Sequence, residues 1–411
     1  MKRKKNSILL YVALFVGLTA VYLALGLASS CVSDKAVERH VRQTLTQCDL
    51  ESDFWFAFLY KPNYYMDNYT DALIVNQAWC LGGQWGEAQN MDLWQRVMMV
   101  PHQRCNGAEG IEDCCKSLRS LADGDTEMHT RLYPRYWHGS TFLMRMLLAI
   151  DDYQVLRAAF HILSSLLLLW TVLALAKKAG VWTAVIYALS LILVDVFMMQ
   201  FSIQFMPVLI LTLTGSLWVI YKSPTASQMG IICFVIGSLT AYFDLLTAPL
   251  LTWGIPVLVW IVISKRINYN VSLLTPFTWF VGYAATWASK WLLATLTTPM
   301  NVFADAQAQA TLRAATEDYS RWGAVAHNFN LVPWLYVTIA AGVVLLIVLR
   351  NFDGKEWRRT LLCVAVALSP IAWYLALANH SYVHYWFTYR SIAISIMGLL
   401  MAVRCLAKTG R

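Results

Sequence analysis

Long runs of apolar residues, separated by short polar connections, dominate the sequence. A helix needs roughly 20 apolar residues to cross a bilayer, and about ten runs approach that length. They are Ser7–Leu27, Val155–Ala176, Val181–Met199, Phe205–Tyr221, Met229–Leu246, Pro249–Ile263, Val271–Leu296, Leu331–Leu349, Leu361–Ala378 and Ser391–Ala407. The pattern predicts an all-α polytopic membrane protein with about ten transmembrane helices.

These runs divide the chain into three parts. Residues 1–30 hold a basic start and the first span, residues 31–153 form a large polar segment, and residues 154–411 form a multi-span bundle. Most of the 24 acidic residues lie between Asp34 and Asp152. The polar segment is therefore expected to be an aqueous subdomain with interfacial helices.

The basic residues indicate the orientation. Lys and Arg concentrate in cytoplasmic connections, and "MKRKK", "AKKAG", "YKSPTASQ", "SKRINYN", "RNFDGKEWRR" and "AKTGR" all fall on one side of the predicted topology. Both termini are then cytoplasmic, and the polar segment and the outer loops 299–330 and 379–389 face outward. The first run exceeds the ~7–15 residues of a signal-peptide core, so we expect an uncleaved span.

The composition agrees with a multi-pass protein of the cytoplasmic membrane. Hydrophobic residues make up 58% of the chain and charged residues 14%, and the mean hydropathy is +0.50. The net charge of +8 is explained by basic residues in short loops, so we expect no nucleic-acid partner.

Most of the nine cysteines lie in the predicted outward segment. They are Cys31, Cys48, Cys80, Cys105, Cys114 and Cys115. Disulfides persist outside the cytoplasm, so we expect disulfide bonds here, with a pairing that the sequence leaves open. A metal site is the alternative, but adjacent Cys114 and Cys115 lack the spacing of zinc ligands.

Ionisable residues inside or at the ends of the spans are costly in hydrocarbon and by default mark functional sites. Here they all fall toward the outer face: Arg157, His161, Asp195, Asp244, Lys290 and Arg390. They predict a water-accessible cavity that opens outward. Two simpler explanations stay open: Asp244 pairs with Lys290 or an arginine to stabilise the bundle, or Arg157 and Arg390 extend to the membrane surface.

The placement of these charges also separates two classes of function. A transporter would place them near the midplane, on broken helices of two related halves, and the sequence contains no such repeat. Charges at one interface suit an enzyme that acts on a membrane-embedded substrate with an exposed head group.

The segment "NYYMDNYTDAL" sets Asp67 and Asp71 among tyrosines. The apolar residues that follow predict an amphipathic helix lying on the membrane, and a helix N-cap would explain one of the carboxylates. The alternative is that one carboxylate, close to apolar surface and to the other charge, has a raised pKa and serves as a general base.

Two further outward segments combine basic and aromatic residues. "RLYPRYWHGSTFLMRMLL" contains Arg135, His138 and Arg145, and "NHSYVHYWFTYRS" contains His380, His384, Tyr385 and Arg390. Arginine forks suit phosphate oxygens, so the two segments predict an anionic ligand at the outer interface. A juxtamembrane anchor would have a similar composition. Signatures of soluble enzymes such as GxGxxG, GxSxG or HExxH do not occur.

With these features the chain resembles the GT-C superfamily of integral membrane glycosyltransferases, in its bacterial form. The resemblance covers the whole predicted topology: a cytoplasmic start, one span, a large outer loop with an acidic motif, and a multi-span bundle. "DNYTDA", "RYWHG", "YFDLLTAP" and "HYWFTYR" also look like the motifs of a bacterial subgroup with this layout.

The resemblance implies that a sugar on a polyprenyl phosphate or diphosphate is transferred, with inversion, to a hydroxyl of a glycan, lipid or protein. The base then falls on Asp67 or Asp71, with Asp67 favoured. The phosphate contacts fall on Lys290, Arg390, His384 and Arg135. The remaining cavity residues are His138, Arg157, His161, Asp195, Asp244, His380 and Tyr385.

We expect no cofactor and a metal-independent reaction. If the donor is a diphosphate, Asp67 and Asp71 would instead hold a divalent cation through hard oxygen ligands. Two other functions stay open: a flippase or polymerase of lipid-linked saccharides, which has less need of an outer-loop carboxylate, and a non-enzymatic membrane assembly or sensor protein.

Overall fold

The computed structural model describes residues 2–47, 54–56, 65–105, 114–125, 127–264, 269–316, 319–333, 340, 342 and 356–406. Within these ranges the chain is almost entirely helical. Short strands form two antiparallel pairs, β1 (Phe54–Phe56) with β2 (Tyr65–Asp67) and β3 (Pro101–Cys105) with β4 (Met128–Leu132).

The helices follow one another along the chain with short connections. They are α1 (Lys2–Ser29), α2 (Asp34–Gln47), α3 (Asn68–Cys80), α4 (Leu93–Met99), α5 (Cys114–Asp123), α6 (Gly139–Leu148), α7 (Tyr153–Ala179), α8 (Val181–Ile192), α9 (Val196–Met199), α10 (Met206–Lys222), α11 (Ala226–Phe243), α12 (Leu251–Ile263), α13 (Tyr269–Thr297), α14 (Val302–Ala314), α15 (Arg321–Asn330), α16 (Trp357–Ala367), α17 (Ser369–Ala376), α18 (Ala378–Val383), α19 (Tyr385–Thr388) and α20 (Ile392–Leu406). Short 3₁₀ helices cover Gly86–Asn90 and Tyr389–Ser391.

Five of the described helical segments are long and apolar enough to cross a membrane. They cover Ile8–Ser29, Tyr153–Ala179, Ala226–Phe243, Trp357–Ala376 and Tyr385–Leu406. Shorter apolar helices cover Val181–Ile192, Met206–Lys222 and Leu251–Ile263. On α7, Leu166, Leu169 and Leu173 are each more than half exposed, as suits a helix face in contact with lipid. The fold is all-α and compatible with a membrane protein.

Most of the predicted spans coincide with helices, but two of them are interrupted. Val181–Met199 is divided into α8 and α9 because Asp195 has a left-handed backbone, with φ 58°. Leu361–Ala378 contains both α16 and α17, and Pro370 starts the second helix, where its missing N–H costs nothing. The predicted span Leu331–Leu349 lies largely outside the described residues.

The polar segment packs around α3. This helix begins at Asn68, as the capping residues predicted, but its side chains from Asp71 to Cys80 are all buried. It is therefore a central helix of the segment, in contact with α5 and α6, and it differs from the interfacial helix that the apolar pattern predicted. Its burial fixes the position of its N terminus, where Asp67 lies.

Arg145 joins this segment to the first long helix. Its guanidinium is fully buried, donates to the carbonyl oxygens of Ser29 (2.9 Å) and Ala78 (2.7 Å), and pairs with Asp34. It thus connects α1, α2, α3 and α6. The basic segment around Arg145 predicted a ligand contact, whereas this side chain holds helices together.

The predicted disulfides are not found among the described residues, where no bond joins two cysteines. The Cys80 thiol donates to Oδ1 of Asn76 (3.3 Å), and the Cys115 thiol donates to the carbonyl oxygen of Asn68 (3.5 Å). Cys48 lies outside the described residues. Apolar residues of α3 and α5 pack in one hydrophobic cluster of this segment.

In the bundle, α11 and α13 pack backbone against backbone. A Cβ added to Gly237 would clash with the carbonyl group of Trp279, and one added to Gly282 would clash with that of Phe234. The Ser238 and Thr286 hydroxyls are 2.7 Å apart. Small residues of this kind allow apolar helices to approach closely.

Candidate functional site

A cavity of about 220 Å³ lies where the polar segment meets the ends of the bundle helices. It is lined by the start of α3, by the end of β4 and the residues that follow it, by the end of α14 and by residues of α18 and α19. The volume is below the roughly 300–1,000 Å³ typical of sites for drug-sized ligands. The cavity therefore suits a small group, and its walls are rich in Arg, His and Tyr.

Asp67 lies directly behind one wall of this cavity. As the N-cap of α3, its carboxylate accepts from Thr70 N (3.0 Å) and Oγ1 (3.2 Å), and it also accepts from the side-chain amide of Gln204. Thr70 and Gln204 both line the cavity. The N-cap role weighed from the sequence is therefore present, and the same carboxylate adjoins the polar chamber.

Asp71 does not line the cavity, and a different set of donors holds it. One oxygen accepts from the Tyr153 hydroxyl (2.5 Å) and from Ile203 N (2.9 Å), and the other accepts from Gln204 N (3.1 Å). These bonds anchor the turn formed by residues 200–205, here called the support turn. Asp71 thereby places Gln204 against Asp67.

Arg157 and His161, which the sequence predicted as cavity residues, contact Phe201 of the support turn. Arg157 donates to the carbonyl oxygen of Phe201 (2.5 Å), and the His161 ring stacks on Phe201 with centroids 4.3 Å apart. Neither residue lines the cavity. Their polar groups organise the wall behind Asp67.

Burial controls the protonation of both carboxyl groups. Desolvation, with a contribution from the charge of Asp71, raises the pKa of Asp67 from 3.8 to about 7, against the hydrogen bonds from Thr70. Desolvation also raises the pKa of Asp71, while the Tyr153 hydroxyl and the charge of Arg157 oppose the rise. Asp67 thus titrates near neutral pH, as a general base requires.

Arginine side chains form another part of the cavity wall. Arg135, which the sequence predicted, pairs with Asp305 of α14 at 3.0 Å, and Arg313 of the same helix donates to the Tyr136 hydroxyl at 2.8 Å. Arg131 also lines the cavity. The cavity is therefore electropositive on the side that α14 covers.

The two predicted histidines of the last outer loop, His380 and His384, also line the cavity. Their rings are 4.9 Å apart, and Nε2 of His380 lies 2.8 Å from the carbonyl oxygen of Leu246. Burial is the largest cause that lowers the pKa of His384, to about 4. Both rings are accordingly neutral at physiological pH.

Lys290 and Arg390, the principal phosphate contacts of the prediction, do not line the cavity. Lys290 donates to the carbonyl oxygen of Val97 (3.2 Å), and its ammonium lies 5.6 Å from the centre of the Trp137 ring. Arg390 donates to the carbonyl oxygen of Trp386 (2.7 Å) and stacks on Phe205. Both cations are fully buried and lie outside the chamber.

Asp195 and Asp244 do not line the cavity either, and both accept hydrogen bonds elsewhere. Asp195 accepts from the Tyr389 hydroxyl (2.6 Å). Asp244 accepts from the backbone N–H of Thr247 (3.0 Å) and from its hydroxyl (2.6 Å), which closes a turn after α11. The predicted pairing of Asp244 with Lys290 is not among the described ion pairs.

His138 and Tyr385 are the remaining predicted cavity residues, and neither lines the cavity. Nε2 of His138 lies 2.6 Å from the carbonyl oxygen of Tyr133, and the Tyr385 ring packs edge-on against His327. Burial lowers the pKa of His138 to about 3, so this ring is neutral. His138 supports the segment that carries Tyr133, which does line the cavity.

The sequence reasoning missed Gln204, His102 and Arg313, which all line the cavity. Gln204 falls between two predicted spans, and Arg313 falls in the predicted outer loop 299–330. A polar residue in a very short connection between apolar runs was the available signal for Gln204. His102 stands alone in its strand, and we find no sequence pattern that points to it.

The two aspartates do not fit the divalent cation that a diphosphate donor would suggest. Both Asp71 oxygens already accept hydrogen bonds, and Gln204 lies against Asp67. In the described ranges no three His, Cys, Asp or Glu side chains come together as a set of metal ligands.

Comparison with known proteins identifies no relative: no protein family, curated protein or solved structure matches the chain.

Proposed function

We propose that this protein is an integral membrane glycosyltransferase of the GT-C type. It transfers a sugar from a polyprenyl-phosphate donor to an acceptor hydroxyl at the outer face of the cytoplasmic membrane. In this proposal about ten helices cross the bilayer, both termini are cytoplasmic, and the cavity opens toward the outer leaflet. The charge of lysine and arginine in the short connections supports this orientation.

One observation carries the proposal: a buried carboxylate adjoins a small cavity lined by arginines. Asp67 contacts Thr70 and Gln204 of the cavity wall, and Arg131, Arg135 and Arg313 line the same cavity. A base with a pKa near 7 suits proton abstraction at neutral pH. Guanidinium groups suit the oxygens of a phosphate leaving group.

Asp67 acts as the general base in this mechanism. As the acceptor oxygen attacks the anomeric carbon, its proton moves to the Asp67 carboxylate. The bond from the anomeric carbon to the phosphate oxygen breaks, and its electron pair stays on that oxygen. Attack opposite the leaving group inverts the anomeric centre, and the arginines stabilise the charge that develops on the phosphate.

The supporting residues have other tasks. Asp71 is a positioning residue, because its bonds to the support turn place Gln204 beside Asp67. Arg131 and Arg313 join Arg135 as the proposed phosphate contacts, in place of Lys290 and Arg390.

Replacement of the base gives a direct test. In Asp67→Asn we expect the transfer of labelled sugar from a polyprenyl-phosphate sugar to fall by about 10²–10⁴-fold, the usual contribution of a general base. Glu87→Gln is the matched control, because Glu87 is an exposed carboxylate of the same segment and should leave transfer unchanged.

Unchanged transfer in Asp67→Asn membranes would rule out this mechanism. A flippase would be favoured instead if the unaltered protein transferred no sugar and Asp67→Asn lost the translocation of a lipid-linked saccharide.

A further inference from the structure

His380 carries a buried hydrogen-bond acceptor. The residue is 4% exposed and lines the cavity. Its Nδ1 atom has no hydrogen-bond partner among the described residues. A buried polar atom that is left unpaired costs free energy, so this atom points to a ligand.

The tautomer of His380 follows from its other nitrogen. A carbonyl oxygen can only accept, so Nε2, 2.8 Å from the carbonyl oxygen of Leu246, must carry the hydrogen. Burial, followed by the neighbouring His384 and Arg313, holds the pKa of His380 well below its usual value. The ring is therefore neutral, and Nδ1 has a free lone pair.

The turn that presents the Leu246 carbonyl is held in an unusual conformation. Leu246 has φ 70°, a left-handed backbone that a branched side chain adopts only at an energetic cost. The Asp244 carboxylate holds this turn through Thr247. The fold thus maintains a strained residue whose carbonyl orients His380.

We propose that His380 determines ligand specificity by accepting, at Nδ1, a hydrogen bond from a donor group on the sugar. An ionised phosphate has no hydrogen to donate, so the group that binds Nδ1 belongs to the sugar. Arg131, Arg135 and Arg313 contact the phosphate, and His380 contacts the sugar. The group that donates this hydrogen bond is a sugar hydroxyl or the amide N–H of an N-acetylated sugar. This inference rests on the proposed function, because it names the part of the donor substrate that the cavity selects.

Two substitutions separate the two nitrogens of His380. His380→Gln keeps an amide nitrogen near the position of Nε2, facing Leu246, but removes the acceptor at Nδ1. His380→Asn keeps an amide oxygen near the position of Nδ1 but removes the contact with Leu246. If His380 only supported the turn, ligand binding would be retained better in His380→Gln than in His380→Asn. The proposal expects the preference for sugar phosphates to be retained better in His380→Asn.

The test is calorimetric titration of the full chain in detergent with four soluble phosphate monoesters. Glucose 1-phosphate, galactose 1-phosphate and N-acetylglucosamine 1-phosphate carry sugar donors, and ethyl phosphate carries none. We expect at least one sugar phosphate to bind the unaltered protein more tightly than ethyl phosphate, by about 10-fold, the value of one hydrogen bond. His380→Asn should keep this preference and His380→Gln should lose it. A preference for the N-acetylated probe would identify an amide donor.

Equal affinity of all four probes for the unaltered protein would overturn the inference, as would a preference that survives in His380→Gln. These outcomes are distinct from a failure of the proposed function. Binding needs no base, so the sugar preference in Asp67→Asn can be measured apart from transfer.

Discussion

Asp67 is subject to two opposing effects. Its position at the N terminus of α3 and its bonds from Thr70 favour the ionised form, since carboxylates are stabilised at helix N termini. Burial at 1% exposure favours the neutral form, because a charge away from water is costly. The pKa near 7 means that burial outweighs the cap.

This balance predicts how stability depends on pH. An unfolded aspartate titrates near 3.9, whereas folded Asp67 titrates near 7, so the folded state binds more protons between these values. Stability therefore falls as pH rises from about 4 to about 7. The shift corresponds to at most about 4 kcal/mol, at about 1.4 kcal/mol per pKa unit.

Asp67→Asn removes this titration. We expect the melting temperature of the variant minus that of the unaltered protein, both measured in detergent, to be higher at pH 8 than at pH 4.5. Under the proposed function the same variant is inactive. Melting temperatures measured across this range check the prediction. A constant difference between the two proteins at all pH values would contradict it.

The residues of the cavity could be predicted only in part. Arg135, His380 and His384 were named from basic and aromatic segments, and they line the cavity. Lys290 and Arg390 were named for their depth in apolar runs, and they point elsewhere. Sequence gives the depth of a helical residue, but its direction depends on helix rotation, which changes by 100° per residue and is set by tertiary packing.

At the scale of the helices, the contact between α11 and α13 supports a prediction about stability. Gly237→Ala or Gly282→Ala would force a Cβ into a backbone carbonyl group, and backbone cannot yield as a side-chain tip can. We expect destabilisation by about 1–3 kcal/mol, the usual cost of overpacking. Thermal unfolding in detergent measures the effect.

Gly17→Ala is the control for these variants. Gly17 also lies within a long apolar helix, α1, but a Cβ there meets no atom within 4 Å. Its melting temperature should not fall. A decrease equal to that of Gly237→Ala would show that the loss of glycine itself, and not the close approach, matters.

The helices themselves were predicted well because a long apolar run carries a strong signal. The break at Asp195 was not predicted, because the hydrophobic pattern does not report a left-handed residue within an apolar run. Its carboxylate accepts a hydrogen bond from Tyr389, which lies 194 positions away in sequence. The burial of α3 was missed for the same kind of reason. Its partners α5 and α6 come from later in the chain, and single-helix periodicity does not report them.

At the scale of the whole molecule, α14 lies in the predicted outer loop 299–330 and contributes Arg313 to the cavity wall. Asp305 of this helix forms an ion pair with Arg135. An anionic ligand that binds the same guanidinium must therefore compete with the carboxylate. Both side chains are partly exposed, at 15% and 34%, and pairs of this kind are worth at most about 1 kcal/mol. Under the proposed function, we therefore expect the carboxylate of Asp305 to lower the affinity for an anionic ligand by only a few-fold.

Asp305→Asn should accordingly tighten the binding of ethyl phosphate by about two- to fivefold, because it leaves Arg135 available while preserving the shape of the side chain. Calorimetric titration at low ionic strength measures this change. Glu127→Gln makes the same change of charge at an exposed site of the polar segment and should have no effect. Weaker binding in Asp305→Asn would mean that the carboxylate positions Arg135 for the ligand.

The glycine contact has one more consequence, for the dimensions of the chamber. Beyond it, α11 leads to the turn of Leu246 that orients His380, and Trp291 of α13 donates to the carbonyl oxygen of Arg135 (2.9 Å). The separation between the parts of the cavity wall that carry His380 and Arg135 thus depends on two main chains in direct contact. Such a spacing admits little adjustment, which favours a narrow range of ligand lengths over broad tolerance.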